Sequence, residues 1–241
     1  MVSLILSWFI PESPIFLQIK QGFSGASNEG GTLAEIFKPK YRRVLVLGLV
    51  VAVFQQWCGT NVIFNYAQEI FQGAGFDVDG MFINIVITGI ANVIFTIVAL
   101  YTIEKWGRRT LMLIGSLGLG LIYLTLGTCY FAEVKGLVMV CLVVAAISCY
   151  AMTLAPVTWV LLSEIFPNKV RGKMVALCTF ALWVGCCTLT YSFPSINAAL
   201  GCSGSFWIYS AICLAAYAFF IKKCPETKGR SLEELENELT K

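Results

Sequence analysis

Residues 81–103 read MFINIVITGIANVIFTIVALYTI and contain no charged side chain. An α-helix rises about 1.5 Å per residue, so about 20 residues cross the roughly 30 Å apolar core of a bilayer. This stretch therefore predicts a transmembrane helix. The first hypothesis for the whole chain is that it is a membrane protein.

The composition extends this prediction to all 241 residues. Hydrophobic residues make up 58% of the chain and charged residues only 13%, where soluble proteins carry about 25%, and the mean hydropathy is +0.78. The chain has no histidine, which excludes His-dependent triads and the HExxH zinc motif. No basic run is interleaved with aromatic residues, so a nucleic acid partner is not expected. The composition predicts a membrane protein that is not an enzyme.

Basic residues mark the ends of further apolar stretches. Of the 17 Lys and Arg residues, 16 lie in four clusters, at 20–43, 105–109, 169–173 and 222–241. The apolar stretches predict spans at 44–71, 81–103, 110–132, 137–162, 174–198 and 204–222. The basic clusters alternate with loops poor in basic residues, which is the positive-inside pattern. We therefore expect an all-α membrane protein, a six-helix bundle whose N-terminal linker and C-terminus are cytoplasmic.

The remaining segments divide the chain further. Residues 1–10 form an apolar segment that is too short to span a bilayer. This segment predicts the end of a transmembrane helix. Residues 11–43 are polar and predict a cytoplasmic linker, with a short surface helix near 32–38. The six spans occupy 44–222, and 223–241 predict a cytoplasmic tail. The ten cysteines show no CxxC or Cys/His spacing, so we expect reduced thiols, with no metal and no cofactor.

Polar residues inside the spans indicate where a ligand could bind, because each one needs a partner or a cavity. In the second span, Asn84, Thr88, Asn92 and Thr96 recur at every fourth position and share one helical face. Such a stripe either binds neighbouring helices together or lines a cavity, and the pattern alone does not choose between the two.

The first span carries a denser set of amides around a helix-weakening Gly-Thr-Asn sequence. Gln55 and Gln56 precede Gly59, and Asn61 and Asn65 follow it. Transporters place broken helices of this kind at substrate sites, and amides both donate and accept hydrogen bonds, which suits a neutral polyhydroxylated ligand.

Two further features of the later spans fit the same kind of ligand. Pro156 predicts an interruption in the fourth span. Trp159 and Trp183 offer flat apolar faces to a sugar ring, although each is also a common packing residue.

Five ordered motifs carry a resemblance to a known family. They are Pro11-Glu12-Ser13-Pro14, Gln55-Gln56-x-x-Gly59-x-Asn61, Glu104-x-x-Gly107-Arg108-Arg109, Ser163-Glu164-Ile165-Phe166-Pro167 with Arg171-Gly172, and Pro225-Glu226-Thr227-Lys228-Gly229. In order and spacing they resemble the C-terminal half of the sugar porter family of the major facilitator superfamily, and residues 159–168 are especially similar to the bacterial xylose/proton symporters. The resemblance implies that the six spans are transmembrane helices 7 to 12 and that residues 1–10 end helix 6.

The resemblance also implies roles for individual residues. Those matching sugar-binding positions are Gln55, Gln56, Asn61, Asn92, Trp159 and Trp183. Those matching gating positions are Asn65, Tyr66 and Pro156. Those matching a cytoplasmic charge network that latches the two halves together are Glu12, Glu104, Arg108, Arg109, Glu164, Arg171 and Glu226.

Four residues depart from the family pattern: Ile15, Asn65, Ala155 and Leu182. Ile15 removes a cation from the charge network, and Asn65 leaves Tyr66 alone where the family has a tyrosine pair. We expect these changes to alter sugar affinity, sugar identity and the closing of the gate.

The resemblance covers one of the two halves that a sugar porter needs. We therefore expect a monosaccharide transporter, xylose- or glucose-like in its substrate and proton-coupled in its full-length form, whose N-terminal six-helix half is absent from this chain. The alternatives are a non-transporting assembly or scaffold subunit of the membrane, or an inactive fragment. A membrane-embedded enzyme would need a cluster of catalytic groups that the spans do not offer.

Overall fold

The computed structural model of the chain describes residues 33–230 and 234–235, and everything described here belongs to that part. The first ten residues, most of the predicted linker and Glu12 lie outside it. A 3-10 helix, Leu33–Phe37, comes first, close to the predicted surface helix. The α-helices are then α1 Pro39–Trp57, α2 Thr60–Asn65, α3 Ala67–Gly73, α4 Val78–Trp106, α5 Arg108–Phe131, α6 Leu137–Met152, α7 Leu154–Ile165 and α8 Arg171–Lys223.

Five helical segments are long and apolar enough to cross a membrane. They are α1 with α2 (Pro39–Asn65), α4, α5, α6 with α7 (Leu137–Ile165), and α8. The last contains 53 residues, or about 80 Å of helix, far more than one bilayer core requires.

A backbone break at Gly201 explains the length of α8. Gly201 has φ 69° and ψ 177°, a conformation that is essentially restricted to glycine. It divides α8 into a first arm, 171–200, and a second arm, 202–223, each long enough for one crossing. The described part of the chain therefore contains six helical segments long and apolar enough to cross a membrane, and the predicted all-α membrane bundle is confirmed.

The helices pack around a core that α5 and α8 build together with α1. Tyr123 of α5 packs against Phe206 and Tyr209 of the second arm, with ring centroids 5.7 and 6.5 Å apart. Tyr130 stacks on Phe206 at 5.7 Å. Close approach of the backbones makes this possible, since an added Cβ at Gly127 would lie 2.6 Å from Cδ1 of Trp207.

The described residues of the four basic clusters lie at one end of this bundle, which we call the charged end. Successive crossings reverse direction, so the start of α1, the α4–α5 junction, the α7–α8 junction and the end of α8 all lie there. The 3-10 helix is attached at the same end, where Lys169 Nζ lies 3.0 Å from Glu35 Oε1. This ion pair lowers the pKa of the Glu35 carboxyl below its ordinary value of 4.5.

Candidate functional site

The first crossing is broken between α1 and α2, as the Gly-Thr-Asn sequence predicts. Gly59 sits at the break with φ 88°, in the left-handed region that costs other L-residues free energy. Its Cα hydrogen also faces the ring of Tyr209, because an added Cβ would lie 2.7 Å from Tyr209 Cγ. Both the local conformation and the packing therefore require glycine at this position.

Side chains from distant helices hold the break in place. The hydroxyls of Thr60 and Tyr123 lie 3.2 Å apart, and the Cys213 thiol donates to the Cys58 carbonyl at 3.7 Å. The Cys58 thiol in turn donates to the Gln55 carbonyl at 3.0 Å. Backbone groups freed by the interruption thus find partners inside the bundle, as apolar surroundings require.

Three amide side chains converge at this break. Gln56 Nε2 donates to Gln55 Oε1 at 3.0 Å, and Asn61 Nδ2 donates to Gln56 Oε1. Gln55 and Gln56 are 5% and 6% exposed, while Asn61 is half-buried. Gln55 Nε2 and Asn61 Oδ1 make no hydrogen bond to any described residue, so this amide cluster keeps a donor and an acceptor for a ligand.

One face of the first arm of α8 borders the amide cluster. Asn61 Nδ2 contacts Cys186 Sγ at 3.8 Å, and Trp183 lies one helical turn before Cys186 on the same face. Trp183 is 59% exposed. An indole and three amides therefore lie on neighbouring helices, with an apolar face beside hydrogen-bonding groups.

The predicted gating pair contacts the same arm further along. Tyr66 donates from its hydroxyl to the Thr190 carbonyl at 2.9 Å, and Asn65 Nδ2 donates to the Thr190 hydroxyl at 3.4 Å. The Tyr66 ring also packs on Phe193, with centroids 4.6 Å apart. Cys186 and Thr190 are site neighbours that sequence reasoning missed, because their approach depends on how α2 packs against α8.

The third predicted gating residue, Pro156, lies beside a second helix break. The interruption falls at Thr153, with φ −121° and ψ −83°, and Pro156 is the third residue of α7. A proline ring clashes with the carbonyl four residues earlier, here that of Met152, so α6 ends at Met152. Proline determines the break but stands three residues after it.

Trp159 and Asn92 stand apart from the amide cluster. Trp159 of α7 is 44% exposed, and its ring contacts no other aromatic ring in the described ranges. The Asn92 side chain is half-buried and makes no hydrogen bond there.

The polar stripe of α4 does not bind helices together within the described chain. The hydroxyls of Thr88 and Thr96 donate back to the carbonyls of Asn84 and Asn92 at 2.7 Å. Asn84 Nδ2 is buried without a partner among the described residues. Within the described residues the stripe therefore makes no hydrogen bond between helices.

The predicted charge network has a compact centre at the charged end. Arg108 and Glu164 form a two-point ion pair, Nη2 to Oε1 at 2.8 Å and Nε to Oε2 at 3.1 Å. The Thr227 hydroxyl also donates to Glu164. Glu226 Oε1 accepts from the backbone N–H of Arg108 at 3.0 Å and of Lys228 at 3.1 Å. Together these contacts join the start of α5, the end of α7 and the segment after α8.

Three other predicted members, Glu104, Arg109 and Arg171, form no ion pair within the described residues. Arg109 Nη2 donates to the Ile221 carbonyl at 2.8 Å, and Arg171 Nε donates to the Phe166 carbonyl at 3.1 Å. Glu104 is exposed and forms no ion pair within the described ranges. Thr227 is a member that the sequence analysis did not select, although it lies inside the Pro-Glu-Thr-Lys-Gly motif.

Comparison with known proteins identifies the family. A family model described as "Sugar (and other) transporter" matches residues 24–239. The chain belongs to the sugar transporter family. That family consists of transporters rather than enzymes, and the expectation that this chain is not an enzyme agrees with it.

Individual sugar transporters are similar over most of this chain. The arabinose-proton symporter of Bacillus subtilis is 36% identical over 207 residues, 86% of this chain and 45% of that protein. The D-xylose-proton symporter of Escherichia coli is 38% identical over 199 residues, 80% of this chain and 40% of that protein. The chain thus spans less than half the length of these two relatives.

A solved structure supports the fold. The major facilitator superfamily proton:xylose symporter XylE, bound to 6-bromo-6-deoxy-D-glucose, superposes with a TM-score of 0.75 at 37% identity. The match covers 81% of this chain and 42% of that one. The resemblance to sugar porters of the xylose symporter kind is confirmed.

Proposed function

We propose that this chain supplies one six-helix half of a transporter that carries a monosaccharide across a membrane by alternating access. The observation that carries the proposal is the amide cluster of Gln55, Gln56 and Asn61 at the α1–α2 break. The cluster offers hydrogen bonds to hydroxyls, and Trp183 offers a flat face to a sugar ring. One relative is named a D-xylose-proton symporter, so D-xylose is the first sugar to test.

The second half of the sugar site is proposed to come from a complementary six-helix unit. Trp159 and Trp183 are 44% and 59% exposed, and buried amides beside exposed surface are costly against lipid. A partner half that covers this surface would complete the cavity, as in transporters built from two rocking halves. In the completed cavity Trp159 and Asn92 would contact the sugar as well.

Proton coupling is proposed for the assembled transporter, because both relatives compared in sequence are named proton symporters. Within this chain Glu69 is exposed on α3 and Glu164 lies one residue before the end of α7. Neither is placed mid-span, so we assign the coupling carboxylate to the complementary half.

The location proposed for the chain is the cell (inner) membrane, with the charged end in the cytoplasm. The positive-inside rule supports this orientation, since 16 of 17 basic residues are in the four clusters. The segment divisions follow from it: 1–10 as the end of a preceding helix, 11–43 as a cytoplasmic linker, 44–222 as the six-helix unit and 223–241 as a cytoplasmic tail.

The charge network is proposed to bias the two-state equilibrium of the transporter. Contacts made at the charged end in one state and broken in the other shift the populations of the two states. The Arg108–Glu164 pair is the described centre of that network, and Glu12, Glu104, Arg109, Arg171 and Glu226 are its proposed further members.

Sugar binding tests the proposal directly. The chain is co-expressed with the N-terminal half of the xylose symporter, purified in detergent, and its unfolding temperature is measured with D-xylose, D-glucose and L-glucose. A ligand at 100 times its Kd stabilises the folded state by about 2.7 kcal/mol, so one D-sugar should raise the unfolding temperature. Gln56→Ala removes about 1.5 kcal/mol of hydrogen bonding and should weaken binding about tenfold.

Gln72→Ala is the matched control, because Gln72 is exposed on α3 and makes no side-chain hydrogen bond to a described residue. It should bind sugar like the wild type. Uptake of labelled sugar into transporter-null cells by the co-expressed halves is the second measurement. A sugar-independent unfolding temperature together with no uptake would favour a scaffold subunit or an inactive fragment.

A further inference from the structure

A groove runs along the outside of the bundle between α1 and the second arm of α8. At the charged end it opens as a cavity of about 380 Å³ whose rim includes Arg42, Arg43 and Lys223. Deeper along the same two helices it continues as an apolar cavity of about 480 Å³. Phe219 lines both cavities, so we treat them as one groove with a cationic mouth.

The cations at the mouth have no counter-ion in the described chain. Arg42, Arg43 and Lys223 are exposed, and none forms an ion pair or a side-chain hydrogen bond there. This contrasts with Arg108, which is paired to Glu164 at 2.8 Å. The start of α1 adds to the positive potential, because its first turn has neither an acidic residue nor a side-chain cap.

The inner part of the groove has the dimensions and chemistry of an acyl-chain site. Val50, Val53, Ala215 and Ile212 line it together with Trp57 at its far end. From residue 43 to residue 57 the helix rises about 21 Å, which exceeds the roughly 15 Å depth of one leaflet. An acyl chain can therefore lie along α1 through the whole of that leaflet.

We propose that this groove binds one anionic phospholipid, with its phosphate at Arg42, Arg43 and Lys223 and one acyl chain along the apolar part. A guanidinium group can donate two parallel hydrogen bonds to the oxygens of one phosphate. Basic pockets between transmembrane helices on the cytoplasmic side are known to hold anionic head groups. A neutral lipid leaves the three cations unpaired, and free phosphate leaves the apolar part empty, so charge and shape together select this occupant.

Native mass spectrometry of the full chain tests the proposal. The protein in detergent is titrated with dioleoylphosphatidylglycerol, dioleoylphosphatidylcholine or inorganic phosphate. We expect one molecule of phosphatidylglycerol to bind at least about tenfold more tightly than either alternative. The triple variant Arg42→Gln, Arg43→Gln, Lys223→Gln should weaken that binding roughly a hundredfold.

A second triple variant, Lys105→Gln, Lys173→Gln, Lys222→Gln, removes the same charge from residues that do not line the groove. It should weaken binding less than about threefold. If both triple variants lose the same amount of phosphatidylglycerol binding, the lipid is attracted to the basic surface as a whole rather than to the groove. That result would refute the proposed site. Equal binding of phosphatidylglycerol and phosphatidylcholine would overturn it as well.

A steric variant tests the apolar part independently of charge. Ala215→Trp places an indole in the groove, whereas Ala218→Trp adds the same indole at an exposed position of the same arm that does not line it. Only Ala215→Trp should abolish retention of phosphatidylglycerol, and circular dichroism should show both variants folded. If instead the chain's own residues 1–32 fill the groove, Ala215→Trp lowers the unfolding temperature without lipid and no lipid preference exists, which refutes the proposal.

Discussion

Replacing Gly59 with alanine should destabilise the fold for two independent reasons, the backbone conformation and the packing at this residue. The backbone at Gly59 has φ 88°, and holding an L-residue there costs about 1–2 kcal/mol. The new Cβ would also lie 2.7 Å from Cγ and 2.9 Å from Cδ2 of Tyr209. Tyr209 is only 1% exposed, so its ring cannot retreat, and overpacking of this kind costs about 1–3 kcal/mol. The sum is a loss of about 2–5 kcal/mol in the free energy of unfolding.

Gly89→Ala is the control, because an added Cβ at Gly89 meets nothing within 4 Å and Gly89 lies inside α4. Alanine is favoured there by about 0.5–1 kcal/mol. Both variants are unfolded by titrating sodium dodecyl sulfate into mild detergent micelles, with circular dichroism as the readout. A Gly59→Ala protein as stable as Gly89→Ala would refute the assignment of strain and close packing to the break.

The steric and conformational parts of this loss can be separated. In a Tyr209→Ala background only the 3.0 Å contact with Cβ of residue 209 remains, so the additional cost of Gly59→Ala should fall towards the conformational part of about 1–2 kcal/mol. Sugar-dependent stabilisation, measured in the co-expressed halves, should also fall in Gly59→Ala, because the amide cluster depends on the direction in which α2 leaves the break.

Three further predictions concern the charged end. A double-mutant cycle of Arg108→Ala and Glu164→Ala, read out by detergent unfolding, should give a coupling of about 1–3 kcal/mol, since the pair is two-pointed and only partly exposed; a coupling near zero would contradict its structural role. Gly107→Ala should lower the unfolding temperature, because its Cβ would lie 2.7 Å from the Glu226 carboxylate, and accelerated hydrogen exchange at the start of α5 would locate the damage. The lowered pKa of Glu35 gives stability that is fully present above pH 4.5 and is lost as the pH falls through the lowered value; Glu35→Gln should remove this acid dependence, whereas Lys38→Gln should keep most of it because the Lys169 contact remains.

Much of the fold could be predicted from where charges are absent. Uncharged runs such as 81–103 are long enough to span a bilayer, and in lipid an apolar run of that length has no other way to satisfy its backbone than a helix. The Gly-Thr-Asn sequence after Gln55 and Gln56 also located the first helix break. Both are local properties, which one sequence displays fully.

The parts that the sequence could not provide depend on packing between distant helices. The spans predicted at 174–198 and 204–222 leave a loop between them, yet α8 continues helically to Gly201, where one residue reverses the chain. The contacts of Asn61 and Asn65 with α8 span more than 120 positions, and no periodicity reveals such pairs. The charge motifs predicted a group of ions at one end, but side-chain geometry determines that Arg108, rather than Arg109, finds the carboxylate.

The one-residue turn at Gly201 has a consequence for how the protein enters its membrane. A conventional loop would let the first arm of α8 insert while the second waited at the surface. With only Gly201 between them, the second arm cannot remain at a distance once the first has crossed. The hairpin of 171–223, rather than either arm alone, is therefore the unit that has to be in the bilayer for this turn to form.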